Sequence, residues 1–221
     1  MIEMRCLFWT IAWVAIFAGG YCEAEPICPL LRNTPPFSAH GETRLTALLG
    51  FGLENHISFG IESFSDDLLQ PLTTNLAKGT AESKIRQILG MPAAYRVSCA
   101  TGVVIVQDSR VASPPWLNRR VPRFHTPKTT LFMANAGLWM LVETLLNPRQ
   151  QGFAGDSPPG DAEDQVGPYD IRGATVRGLL CQLAGSSKGT AWLIERPGLS
   201  LRGTASRNRL WTLWMGGGGR H

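Results

Sequence analysis

The chain has 221 residues, a formal charge of +4 from 21 Lys+Arg against 17 Asp+Glu, and 44% hydrophobic content. That length holds one large or two small domains, and the apolar fraction suffices for a core, so full-length disorder is excluded. With 24 Gly and 15 Pro the elements must be short, and no Gly-X-Y period or heptad run is present, which excludes collagen and coiled coil.

Residues Met1 to Ala24 read as a targeting segment. Arg5 gives a positive start, Cys6 to Ala18 is an apolar run interrupted by one Thr, and Gly19-Gly20 ends it. A helix of that length spans roughly 20 Å, short of a bilayer core of about 30 Å. Cys22-Glu23-Ala24 carries small residues where a signal peptidase reads, so cleavage is expected after Ala24. A retained anchor and a lipoprotein at Cys22 are the alternatives. No later stretch reaches 18 apolar residues, so no membrane span is expected after cleavage. Loss of Glu3, Arg5 and Glu23 would turn the net charge of +4 into +5. The expected location is periplasmic or secreted.

Of five cysteines, Cys28, Cys99 and Cys181 would remain. An odd number leaves at least one unpaired. Cys99 and Cys181 fall inside regular elements of different modules, so both are expected to be reduced. No Cys-x-x-Cys and no nearby His is present, so no metal and no other cofactor is expected.

Residues 25–41, with Pro35-Pro36, read as an extended lead-in. Thr43 caps a helix predicted from Arg44 to Asn55. Ile57 to Glu62 alternates apolar and polar as a half-buried strand does, and Leu72 to Ala77 is a second β-prone segment. Thr80 caps a helix from Ala81 to Leu89 with Ile85, Ile88 and Leu89 inward and Gly90 as its stop. Tyr95 to Cys99 alternates again, and Ala100-Thr101-Gly102 turns into Val103 to Val106. Residues 109–128 have the Pro and Arg content of a linker. Arg119-Arg120-Val121-Pro122-Arg123 is read there as a solvated basic run, and no nucleic-acid partner is expected.

At an offset of 95 the second half repeats the first: Thr175 answers Thr80, Leu180 answers Ile85, Gly185 answers Gly90, and Thr190, Trp192 and Ile194 answer Tyr95, Val97 and Cys99. An apolar helix from about Thr130 to Leu146 opens this half, and a Gly/Pro-rich acidic insertion, 152–168, follows. The expected fold is α+β: two small modules, 42–108 and 129–196, each a small mixed sheet with helices on one face. A tail, 197–221, is expected to be partly disordered, Gly216 to Gly219 above all.

Arg44 to Gln107 resembles the secretin and TonB short N-terminal domain. The likeness lies in Leu45-Thr46-Ala47-Leu48-Leu49, Ile57-Ser58-Phe59-Gly60-Ile61, Thr80-Ala81-Glu82-Ser83-Lys84-Ile85-Arg86-Gln87-Ile88-Leu89-Gly90, Tyr95-Arg96-Val97 and Gly102-Val103-Val104-Ile105-Val106. Glu62-Ser63 departs from the family's Tyr-Asp pair, and Lys84 stands where its helix is apolar. The whole chain also resembles uncharacterised secreted proteins of soil Acidobacteria. The resemblance implies fold and an interaction role in the bacterial envelope, and carries no catalytic signature.

Gly185-Ser186-Ser187-Lys188-Gly189 fits G-x-S-x-G but follows a helix and precedes a strand, the wrong order for a nucleophile elbow. Gly50-Phe51-Gly52 lies inside a helix, where it cannot serve a dinucleotide. His40, His56, His125 and His221 lie in separate segments. Asp156, Asp161, Glu163 and Asp164 form an acidic loop that is the candidate recognition loop. Trp211 and Trp214, in a closing strand or an exposed patch, are the candidate partner patch. The expected function is a non-enzymatic envelope or secreted interaction module with a protein partner. The alternative is a secreted hydrolase or small-ligand binder using the 152–168 loop.

Overall fold

A computed structural model describes residues 28–62, 66–90, 93–146 and 165–195, and the backbone of 212–217. In chain order the strands and helices are β1 (Asn33–Thr34), β2 (Phe37–Thr43), α1 (Arg44–Asn55), β3 (Phe59–Glu62), β4 (Pro71–Leu76), β5 (Gly79–Thr80) and α2 (Ala81–Leu89). There follow β6 (Tyr95–Ala100), β7 (Val103–Asp108), β8 (Arg123–Thr126), β9 (Thr129–Thr130), α3 (Leu131–Leu146) and β10 (Gln165–Val166). The last are β11 (Tyr169–Arg172), α4 (Val176–Gly185), β12 (Thr190–Glu195) and β13 (Thr212–Gly217). The fold is α+β, as expected.

Local chemistry sets the boundaries. Thr43, Thr80 and Thr175 are extended N-caps whose hydroxyls accept from Thr46, Ser83 and Gly178 amides. Gly90 stops α2 at φ 71°, a left-handed conformation that favours glycine. Thr101 and Gly102 both take positive φ in the two-residue turn between β6 and β7, as a twist-matched hairpin turn requires.

Five strands form the central sheet in the order β13-β12-β3-β7-β6. β12, β3 and β7 are mutually parallel, and the edges β13 and β6 are antiparallel to their neighbours. The two halves therefore do not keep separate sheets: Ala191 to Ile194 of the second pair directly with Phe59 to Glu62 of the first. Each half still places its helices on one face, and the faces are opposite. Phe59, Ile61, Val104, Val106, Ala191 and Leu193 join the core of α1 and α2. Val103, Ile105, Trp192 and Ile194 join the core that holds α4 and the inner face of α3. Outside the helices lie the ribbons β2–β4 on one side and β8–β11 on the other. Phe37, Leu72 and Leu76 bury one ribbon's inner face, and Phe124 buries the other's.

Covered on both faces, β3 is an interior strand rather than the half-buried one expected, and all four of its residues are buried. Gly60 is required there: a Cβ would stand 2.3 Å from the Trp192 ring. The lead-in and the 109–128 stretch are also built in. Leu30 and Phe37 enter the first core, and Trp116, Leu117, Val121 and Phe124 enter the second, so 109–128 is not a linker. β13 extends through Gly216 and Gly217, where disorder was expected.

The halves correspond beyond the offset read from sequence. Leu30, Phe37, Ala47 and Phe51 are buried, as are Leu117, Phe124, Ala134 and Leu138, each 87 residues later. The Ala81 amide donates to Arg32 O at 2.9 Å, and the Val176 amide donates to Arg119 O at 3.0 Å.

Cys99 is not reduced: it bridges Cys28 with a Cα separation of 5.8 Å, and Cys181 is the free thiol, buried. Cys28 lies in the lead-in, which the core holds against β6. Closing a loop of 71 residues is worth roughly 4 kcal/mol on a chain-entropy model. The Cys28→Ser/Cys99→Ser variant should melt about 10 °C below the parent, and reductant should lower the parent alone. An unchanged melt in both arms would show that the bridge does not form.

Ile85 and Leu180 are both fully buried. Truncating either to Ala should cost about 2–5 kcal/mol, while Gln87→Ala should stay within about 0.5 kcal/mol. Because one sheet joins the halves, each truncation should lower a single shared transition. Two separate transitions in calorimetry would contradict the shared sheet.

Candidate functional site

A dense polar cluster lies where β3 ends. Glu62 is 1% exposed, and the Arg177 guanidinium of α4 grips both its oxygens, through Nε to Oε1 and from NH2 to Oε2 at 2.9 Å. The Ser113 hydroxyl donates to Oε2 at 2.7 Å and accepts from Gln107 Nε2 at 2.9 Å. Arg177 also donates to Asn118 Oδ1. Glu62 holds Arg177 above the ordinary guanidinium range. The carboxylate and the guanidinium thus hold each other with little capacity to spare. The arrangement fastens α4, and with it the second half, to β3.

Next to it, Asp108 is fully buried and its Oδ2 accepts from Arg110 NH2 at 2.8 Å; the same nitrogen reaches Asp67 Oδ2 at 2.6 Å. Hydrogen bonds to both carboxylates raise the Arg110 pKa. Arg110 also stands 5.8 Å from the Tyr95 ring centroid, closing the end of the β6–β7 hairpin.

Lys84, unexpected in an apolar helix face, is 1% exposed. Its ammonium donates to Pro35 O and, at 3.3 Å, to Thr34 O, and lies 6.0 Å from the Phe51 ring centroid. Burial holds its pKa below the usual lysine value. The lysine ties α2 to the lead-in.

The sequence-predicted site residues fall almost entirely outside the described residues. Asp156, Asp161, Glu163, Asp164 and Trp211 lie outside the described residues, as do His221 and the N-terminal segment. Trp214 sits in β13 in register with Leu193, and its side chain lies outside the described residues. His40 and His125 are exposed on different ribbons, and His56 ends α1 at φ 55°. Ser187 of the G-x-S-x-G stretch is buried in the turn from α4 to β12, and its carbonyl accepts from Ser58 Oγ at 3.1 Å. No group of three metal-ligating side chains occurs among the described residues, and no described helix is long and apolar enough to cross a membrane.

Two surface features remain. A shallow groove of about 560 Å³ is lined by Thr74, Ser83, Arg86, Gln87 and Gly90. β6 is an edge of the central sheet: β7 pairs one side, and no described strand pairs the other. Tyr95 turns into the first core with Val97 and Cys99 packed beside it, Arg96 and Ser98 face solvent, and the disulfide anchors the strand's far end. Alternation marked this strand in the sequence, but nothing local to it says that it lies at an edge.

Arg177→Met would leave Glu62 buried without its counter-ion, at a cost of about 3–5 kcal/mol. Glu62→Met/Arg177→Met should recover much of that loss in a double-mutant cycle measured by urea titration. Additive losses would mean the pair is not coupled. Cys181 offers an independent check on burial. Burial first, then the nearby Glu62 charge, push its thiol from 9.0 up to about 12. In the unfolded chain it ionises at its ordinary value. The stability tied to the protonated thiol is therefore whole below pH 9.0 and lost as pH rises toward about 12. Cys181→Ala should flatten that part of the alkaline limb in denaturant titrations.

Comparison of the chain with family models, curated proteins and solved structures returns no match.

Proposed function

We propose that the chain is a non-enzymatic interaction module of the periplasm or cell exterior that takes up an extended segment of a protein partner along β6. The observation that carries this reading is the outer side of β6 along Arg96 to Ala100, which no described strand pairs, in a strand held by the Cys28–Cys99 bridge and the Arg110 cluster. Such an edge presents a row of backbone donors and acceptors, and strand addition uses them without any change in the host sheet. The disulfide supports an oxidising compartment, in keeping with the signal-peptide reading of residues 1–24. The resemblance to the secretin and TonB short N-terminal domain is supported by the order helix, strand, strand, helix, hairpin between Arg44 and Asp108.

Photo-crosslinking side chains placed at Arg96 and Ser98 in the producing cell test the proposal, with exposed Lys78 as the control. Both edge positions should give the same protein adduct, joined through one extended segment of the partner, and Lys78 should give none. Adducts at all three positions alike, or at none, would overturn it.

A further inference from the structure

The outer surface of the second half carries both exposed cations and apolar side chains that the described residues leave exposed. The ribbon β8–β11 packs Phe124, Tyr169 and Ile171 toward the second core and turns Arg123, His125, Asp170 and Arg172 outward. Its register sets Arg123 directly opposite Arg172, a like-charge pair that weakens an isolated ribbon. Asp170 answers both, one closely and the other at the limit of an ion pair. Arg123 binds it with bonds of 2.6 and 2.9 Å, which hold its carboxyl below the usual carboxylate range. Arg172 stands 4.0 Å away, with its side chain 72% exposed.

The Thr126–Tyr169 end of this ribbon adjoins the N-terminal end of α3, because Val166 and Gln165 pair with Thr129 and Thr130 just before that helix. Lys128, exposed, lies in the same connection. There α3 leaves apolar side chains uncovered: Phe132 is 37% exposed and Met133 55%, and two turns on Met140 is 54%. Gly137, between them, has nothing within 4 Å of where a Cβ would stand. At the other end of α3, Arg119 donates to Leu145 O at 2.8 Å. Lys128 and Arg119 thus stand near the two ends of α3. α3 contains one acidic residue, Glu143, three turns from Phe132.

A helix apolar on both faces is normally covered on both. A soluble acidic polymer would meet the cations and leave Phe132, Met133 and Met140 in water. A purely apolar partner would bury the cations' surroundings without answering their charge. An anionic bilayer surface answers both at once, with headgroups at the arginines and lysine and the acyl boundary at the apolar stripe. We propose that this face of the second half binds an anionic lipid surface, lying on it without crossing it.

The test is co-sedimentation of the secreted chain with phosphatidylcholine vesicles, with or without one third phosphatidylglycerol (the fraction, about 30%, is chosen to give a strongly negative surface). Whatever the N-terminus contributes is common to every variant. The parent should partition onto the phosphatidylglycerol vesicles and not measurably onto pure phosphatidylcholine. Lys128→Glu/Arg172→Glu should weaken partition at least about tenfold. Met133→Ser/Met140→Ser, at positions already more than half exposed, should keep the parent's melt, lose partition about tenfold, and still elute with the parent from a heparin column. Absence of the parent from the vesicle pellet, or equal partition by parent and both variants, would overturn the proposal. Partition lost in the charge variant alone would assign the face to a soluble polyanion and overturn it too.

Discussion

The four-residue parallel contact between β3 and β12 joins two halves that would otherwise each present an open strand to water. It buries both strands on two faces, so every side chain on them must suit an interior: Phe59 and Ile61 toward one pair of helices, Trp192 and Ile194 toward the other. Gly60 follows from the same constraint, since the Trp192 ring occupies the space a side chain would need. So does the Glu62–Arg177 pair. A carboxylate at the end of an interior strand loses its water, and a bidentate guanidinium with a serine hydroxyl replaces the lost contacts. An apolar pair of similar volume would serve stability as well. What the ion pair adds is register, because sliding β12 by one residue would carry α4 and Arg177 away from Glu62.

The second constraint is the attachment of the lead-in. Cys28 to Cys99, Lys84 to the Thr34 and Pro35 carbonyls, and Arg32 O to the Ala81 amide all bind residues 28–35 to α2 and β6. The equivalent stretch of the second half, with Trp116 and Leu117 in the core, is held by packing and by several hydrogen bonds, among them Val176 amide to Arg119 O, Val121 amide to Ala174 O and Arg119 to Leu145 O, without a disulfide or a buried lysine. The covalent anchor thus lies on the β6 side of the molecule.

Caps, stops and the β6–β7 turn were legible because they rest on chemistry within four residues of each boundary: Thr80 and Ser83, Gly90, Thr101 with Gly102. The pairing of Phe59 with Ala191 was not, since alternation marks a strand and says nothing of its neighbours. Glu62 looked like the polar side of a half-exposed strand because its partner lies 115 residues away. Lys84 looked like a departure from the pattern, and its carbonyl acceptors sit in a stretch with no periodicity to read. Pro and Arg content made Trp116 to Phe124 look like a linker. The offset of 95 was found and that of 87 missed because the two registers are separated by the connection between α3 and β11. Of the candidate site, β6 was legible as a strand, and its edge position was not.

Parallel pairing of β3 and β12 also fixes the order in which the chain can complete itself. β7 is available to β3 after a short excursion, so one flank of β3 can close early. The other flank waits for a strand more than a hundred residues further along, and until it arrives Phe59 to Glu62 present an open, hydrophobic edge. A chain emerging during synthesis would therefore spend the interval between these two strands with its future centre exposed. Its most aggregation-sensitive stage is set by sheet topology, not by the stability of either half, and an early stop anywhere before Thr190 would leave that edge permanently uncovered.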